Sequence, residues 1–391
     1  MTSMRRMALC VLAFLFAFPA AAELSAPRQA EADAFFDALF QKSQAVGGVV
    51  LVSQGGERQY SYAYGWGDKA KTRPVTEDTV FKVASVTKMV TAIGVMRLVE
   101  QGKLSLDEPL TDLNGAAVRN PRYPQSPVTL RQVMSHTSSL CSTAPYSRRP
   151  LWAQIDRDSG YFCAWQPGTR YEYANLNGGF LGSLIERASG QSLNTYMAEN
   201  VFSPLGINAA YAATLLPDAA PLSNTFSQDG STYRTAAAYL KDGLEYEDTC
   251  DPDRHYRASV GSLYISASGL ETLGAVLAGD GSAAGISLLA PETVRMMRED
   301  QRLFPGTTVT GESPYGLCLY RYTMGWDTWY GHQGRWEGLL VDVFFEPETQ
   351  TVLVFIANGV KREPGREVAS LAEKTLEFIA PWTYYIVSLE D

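Results

Sequence analysis

Histidine is scarce in this chain. Among 391 residues there are 3, His136, His255 and His332, far apart in sequence. No C-x-x-C pair occurs, so nothing points to a zinc site. Basic clusters are missing too. Nothing exceeds pairs such as Arg148-Arg149, and the formal net charge is -9. A nucleic-acid partner, which needs a clustered basic face, is therefore excluded. No internal repeat or low-complexity tract is present. The longest apolar stretch, Met7 to Phe18, is too short for a membrane span.

What remains is a globular composition, 46% hydrophobic and 19% charged, long enough to bury a sizeable core. The first residues have a separate logic. Arg5-Arg6 precede the apolar stretch, and Pro19-Ala20-Ala21-Ala22 offers an A-x-A cleavage site before Glu23. This pattern predicts a signal peptide over 1–22 and an exported protein, periplasmic or secreted, with no stable membrane association once the segment is removed. An uncleaved anchor is the alternative. Cys10 does not follow the apolar run, so no lipoprotein anchor is expected. Export permits disulfides. Of the four later cysteines, Cys141 and Cys163 close the shortest loop and are the first expected pair; Cys250 and Cys318 are the second. Buried free thiols are the other reading.

Hydrophobic spacing predicts a helix over 28–43, with Ala34, Phe35, Leu39 and Phe40 on one side. Two strands follow, VVLVSQ and Gln59 to Trp66, joined by a turn at Gly55-Gly56. An extended piece over 78–81 leads into a helix from about Ser85 to Gln101, ended by Gly102. The middle of the chain alternates helical pieces (129–135, 176–188, 191–200) with loops rich in Pro, Ser and Tyr. Helices at 267–279 and 291–299 precede three strands, Thr323 to Gln333, Leu339 to Phe345 and Thr351 to Asn358, and a final helix at 366–379. Strands at both ends with helices between predict an α+β fold. The expected division is a sheet domain from 23–110 and 255–391, with a helical insertion over 111–254.

Three short patterns carry chemistry. In Ser85-Val86-Thr87-Lys88, a spacing of three stacks hydroxyl and amine on one helix face. A serine is a poor nucleophile until a neighbour takes its proton, and a lysine can do so only where burial or nearby cations lower its pKa. Ser85 at a helix N-terminus also offers free backbone N–H groups. The only Y-x-N is Tyr173-Ala174-Asn175, after a Pro167-Gly168 turn. There a phenol can shuttle protons and an amide can hold a substrate carbonyl; otherwise Asn175 caps the next helix. His332-Gln333-Gly334 ends an aromatic strand with Trp326, Trp329 and Tyr330. A glycine on a strand edge lets a ligand approach the backbone, and His332 adds a group that titrates near neutral pH. Each pattern alone also has a bland reading as a cap or a packing residue. No G-x-S-x-G elbow is present, which argues against a Ser-His-Asp triad.

Together, in this order and context, the three patterns resemble those of the serine β-lactamase and penicillin-binding-protein superfamily. The branch with class C β-lactamases, DD-peptidases, D-aminopeptidases and related esterases is the most similar. FKVASVTKMVTA, VTLRQVMSHTSSL, PGTRYEYANLNGGFLG, VFSPLGI, ASVGSLYISASGL and YGHQGRWEG carry the likeness over about residues 45–375. The resemblance implies a β-lactamase-like fold, an antiparallel sheet flanked by helices. It also implies a serine hydrolase acting through an acyl-enzyme on amide or ester bonds, of D-amino-acid peptides, β-lactams or small esters. No metal or organic cofactor would be required, and the partner would be a small molecule or peptide. By the same resemblance Ser85 is the nucleophile, Lys88 its base and Tyr173 the proton relay. Asn175 contacts the substrate amide, and His332 and Gly334 stand in the K-T-G position. The backbone N–H groups of Ser85 and Arg335 form the oxyanion hole. H-Q-G in place of K-T-G favours a peptidase, aminopeptidase or esterase over penicillin hydrolysis. Ser139 stands where the family's S-H-T-S-G-L stretch has glycine, and His136 in that stretch reads as structural. The competing class is an inert or sensor-type module that keeps the fold without turnover.

Overall fold

The computed structural model describes residues 26–143, 150–155, 159–217, 220–241, 247–301, 315–324, 327–361, 374–375 and 377–379. The predicted signal segment, Trp326 and most of the predicted last helix lie outside these residues; 374–375 and 377–379 are helical.

Alternating apolar residues build one six-stranded antiparallel sheet. In chain order its strands are β1 (Gly47–Gln54), β2 (Glu57–Gly65) and, after the short β3 (Val80–Lys82) and β4 (Tyr264–Ser266), β5 (Tyr320–Met324), β6 (Asp327–Trp336), β7 (Leu339–Glu346) and β8 (Thr351–Asn358). Their order across the sheet is β2-β1-β8-β7-β6-β5, so the two ends of the chain meet where β1 pairs with β8, Gly47 opposite Asn358. β3 and β4 form a separate pair. The expected strand over 323–333 is two strands, β5 and β6, which pair with each other through Tyr330 and Arg321. The aromatic run conceals the reversal because both strands share its residue types.

Burial on both faces explains why β1, β7 and β8 are apolar at nearly every position. On the outer face lies α1 (Ala26–Lys42), which buries Ala32, Phe36, Leu39 and Phe40. The sequence reading placed Ala34 and Phe35 inward instead; Ala34 is exposed. On the inner face lie α2 (Val86–Glu100) and α6 (Ala267–Ala278). α2 is buried all round over Val86–Met96, as expected for a central helix rather than an amphipathic one. α3 (Leu130–Met134), α4 (Asn175–Ser189) and the short α5 (Ala258–Gly261) pack beyond it. Among the described residues no helix is long and apolar enough to cross a membrane.

Cys141 and Cys163 form a disulfide with Cα atoms 5.1 Å apart. The second expected bridge is not formed. Cys250 is exposed and Cys318 is buried, and both are free thiols.

Candidate active site

Ser85 sits at the turn from β3 into α2. The preceding Ala84 has φ 47°, a left-handed conformation that costs a non-glycine residue strain. Ser85 is the N-cap of α2 but makes no side-chain capping bond, so its oxygen is left for other partners. Lys88, one turn on, is fully buried.

The Lys88 amine has three hydrogen-bond partners: Ser85 Oγ at 3.1 Å, Asn175 Oδ1 at 3.0 Å and the Val260 carbonyl at 2.9 Å. All three are uncharged. Burial without a carboxylate lowers the Lys88 pKa to about 7, only partly offset by the nearby Cys318. A neutral amine has two N–H bonds and one lone pair. Asn175 Oδ1 and the Val260 carbonyl can only accept, so they take the two N–H bonds. The lone pair is left facing the Ser85 hydroxyl.

Gly178 makes the space. It lies one turn into α4 from Asn175, and a Cβ there would come within 2.8 Å of Lys88 Cε. Asn175 is the first residue of α4, not its cap; Ala174 occupies that position without a side-chain bond. The Asn175 amide is thereby free to serve the lysine. Tyr173 shares a hydrogen bond with Ser85, and burial raises its phenol pKa. Its ring centroid lies 5.3 Å from Lys88 Nζ.

His136 anchors this segment from below. Its Nδ1 accepts from the Ala174 backbone N–H at 3.2 Å and lies 2.9 Å from Asn177 Nδ2, while its ring stacks on Tyr173 at 4.3 Å. Burial holds its pKa well below the usual value, followed by the nearby Lys88 and His332. Ser139, in the place of the family glycine, takes the left-handed φ of 64°. Asn120 Nδ2 donates to its hydroxyl at 3.1 Å, and its carbonyl receives the Cys163 N–H at 2.8 Å. The disulfide thus braces the same backbone.

The third pattern comes from β6. Its pairing with β5 ends at Gly331–Tyr320, and β6 continues through His332, Gly334 and Arg335 beside the Ser85 turn. Gly334 is pressed there: a Cβ would lie 2.3 Å from the Val83 carbonyl oxygen. His332 is fully buried. Its Nδ1 lies 2.7 Å from the Gln333 carbonyl, which can only accept, so the proton sits on Nδ1. Burial, then the Lys88 charge, lowers its pKa to about 3. His332 is therefore neutral and cannot replace the cation of a K-T-G motif.

All seven residues singled out from the sequence come together in this region. Others were not foreseen. Val260 acts through its carbonyl, which no residue type reveals. Gly178 was visible only as a glycine pair inside a helix, a sign of close packing. Tyr315 and Tyr320 flank His332, with ring centroids at 6.4 and 5.0 Å. The buried Cys318 thiol, pushed up to about 12 by burial, stays protonated near Lys88. Among the described residues no group of three His, Cys, Asp or Glu side chains is placed to hold a metal ion.

The chain is similar to several known proteins. The chain is 34% identical to esterase EstB of Burkholderia gladioli over 46% of its length and 50% of that protein's. It is 29% identical to the D-alanyl-D-alanine-carboxypeptidase/endopeptidase AmpH of Escherichia coli, over 51% and 56%. The chain spans about half the length of these curated relatives. Penicillin-binding protein 4 of Amycolatopsis lactamdurans aligns more fully, 28% identical over 83% and 84%. Among solved structures, SurE with D-Leu superposes with a TM-score of 0.70 at 26% identity, covering 92% of this chain and 76% of that one. A model of the beta-lactamase family matches residues 32–376, nearly the whole of the chain, and the chain belongs to that family.

Proposed function

We propose that this chain is an exported serine hydrolase that cleaves amide or ester bonds through an acyl-enzyme on Ser85. One observation carries the reading: the buried Lys88 amine lies within hydrogen-bond distance of Ser85 Oγ with only Asn175 Oδ1 and the Val260 carbonyl as its other partners among the described residues, so its neutral form can offer a lone pair to the Ser85 hydroxyl. Ser85 Oγ attacks the substrate carbonyl carbon while its proton passes to Lys88. The tetrahedral oxygen is met by the backbone N–H groups of Ser85 and Arg335. The leaving group departs with a proton delivered through Lys88 and Tyr173. Water, giving its proton to the same pair, then releases the acid and restores Ser85.

Asn175, His332 and Gly334 border the substrate. The neutral His332 offers no charge to a substrate carboxylate, which favours an uncharged ester or amide over a penicillin. Esterase, peptidase and amidase relatives support this breadth. Export is supported by the Cys141–Cys163 disulfide, which persists in oxidising compartments. Residues 23–110 with 255–391 are read as the sheet domain and 111–254 as the insertion that brings Tyr173 and Asn175 to it.

The test is intact-mass analysis after incubation with labelled penicillin, a D-Ala-D-Ala peptide and a p-nitrophenyl ester. The expected result is one acyl adduct on Ser85, lost in Ser85→Ala. An adduct elsewhere, or full turnover by Ser85→Ala, overturns the assignment.

A further inference from the structure

The outer face of the sheet is largely apolar and carries an ion pair behind the active site. Asp342 lies on β7 between Leu340 and Phe344 and is 1% exposed. Burial pushes its carboxyl pKa up, and Arg335 pulls it back. Arg335 sits diagonally across on β6, since Gln333 faces Asp342 and Arg335 faces Leu340. Arg335 Nη2 is 2.8 Å from Asp342 Oδ1. Arg335 Nη1 donates to two carbonyls, Gly334 and Val341, each at 3.0 Å.

The Gly334 carbonyl and the Arg335 N–H belong to one peptide unit. That unit is planar and trans, so its C=O and N–H point in opposite directions. Anchoring one end aims the other. A charge-assisted bond to the C=O also polarises the unit and strengthens the N–H as a donor. β6 has no pairing with β5 beyond Gly331, and Gly334 is pressed against the residues that precede Ser85. The N–H of this peptide is the one assigned above to the oxyanion hole.

We propose that the Arg335 side chain, ion-paired with Asp342, is a positioning residue that aims and polarises the Gly334–Arg335 peptide N–H toward the carbonyl oxygen of a substrate attacked by Ser85. The inference rests on the Ser85 reading. The cationic side chain thus works from the far face of the sheet and touches no substrate. A pair that only neutralised a buried charge would behave differently: replacing both partners by apolar residues would leave the chemistry untouched.

The deciding experiment compares Arg335→Met/Asp342→Leu with the parent in p-nitrophenyl acetate hydrolysis and in affinity for phenylboronic acid, a mimic of the tetrahedral intermediate. The expected result is a kcat lower by about tenfold to a hundredfold, the range for a misdirected oxyanion donor. KM should stay within about twofold, and boronate affinity should weaken in step with kcat. Arg335→Lys, which keeps the charge but not the planar fork, should fall between and serves as the deciding variant if the double variant fails to melt cooperatively. Parental kcat and boronate affinity in a folded variant overturn the inference. Turnover retained by Ser85→Ala would instead overturn the nucleophile assignment, so the two failures are distinct.

Discussion

On the outer face of the sheet Phe36 stacks on Tyr60 and Phe40 on Tyr64 and Phe355, with ring centroids 5.7, 4.9 and 5.5 Å apart. The tyrosine tips reach polar partners: Tyr60 donates to Asp33 at 2.8 Å and Tyr62 to Asp37 at 3.3 Å. On the inner face, one strand thickness away, Lys88, His136 and His332 are buried, and among the described residues the Nε2 atoms of both histidines have no hydrogen-bond partner. Burying such groups costs free energy. The outer face is built mainly of apolar rings with polar tips, although it too buries the Arg335–Asp342 pair, whereas the inner face gathers a buried lysine and two buried histidines where chemistry needs them. The lesson is that a depressed lysine pKa comes from burial away from water, whereas the aromatic outer layer serves the stability of the sheet.

That contrast can be broken by paired substitutions. Lys88→Met should lower kcat/KM by about a thousandfold or more with a cooperative melt retained, read from ester hydrolysis and calorimetry. Phe40→Ala should do the reverse: a stability loss of about 3–5 kcal/mol in denaturant unfolding, with kcat per folded molecule unchanged. A stable, fully active Phe40→Ala would remove the distinction between the faces. Opening the disulfide, by Cys141→Ser with Cys163→Ser, should cost about 3 kcal/mol from the entropy of the loop it closes. Equal unfolding midpoints with and without reductant would count against that bridge. Gly178→Ala should displace the Lys88 stem and lower kcat by about ten- to a hundredfold, since small misplacements of a reacting group are amplified in rate.

The smallest change sharpens the picture rather than breaking it. The logarithm of kcat/KM should climb with pH and level off above about 7, as Lys88 loses its proton and becomes a base. The same shift gives the fold a stability that grows as pH rises from about 7 towards the ordinary lysine pKa. There the unfolded chain still holds a proton that the folded chain has released. A flat rate profile between pH 6 and 8, a range chosen to bracket about 7, would point away from Lys88 as base.

Legibility differed by kind of residue. Ser85 and Lys88 could be paired from spacing alone, because three residues on a helix always bring side chains to one face. The helix over 28–43 was legible, but its inner face was misjudged by one position because Phe35 and Phe36 are equally apolar. The single strand expected over 323–333 hid a reversal. Cys250 and Cys318 were the second expected pair, but one thiol lies at the surface and the other is buried, as spacing in sequence could not tell. Asn175 was legible as a site residue, but its lysine-facing role over a cap role was not.

By itself the sequence determined most of the secondary elements, the family and the residue types of the reaction, since helix periodicity and strand alternation are local properties. Only the tertiary structure decided which carbonyl drains the Lys88 protons, that His332 is neutral, and that Arg335 reaches back to its own peptide. Those outcomes depend on distances between groups up to 172 positions apart, as for Lys88 and Val260, and on the loss of water around them. No linear pattern encodes either.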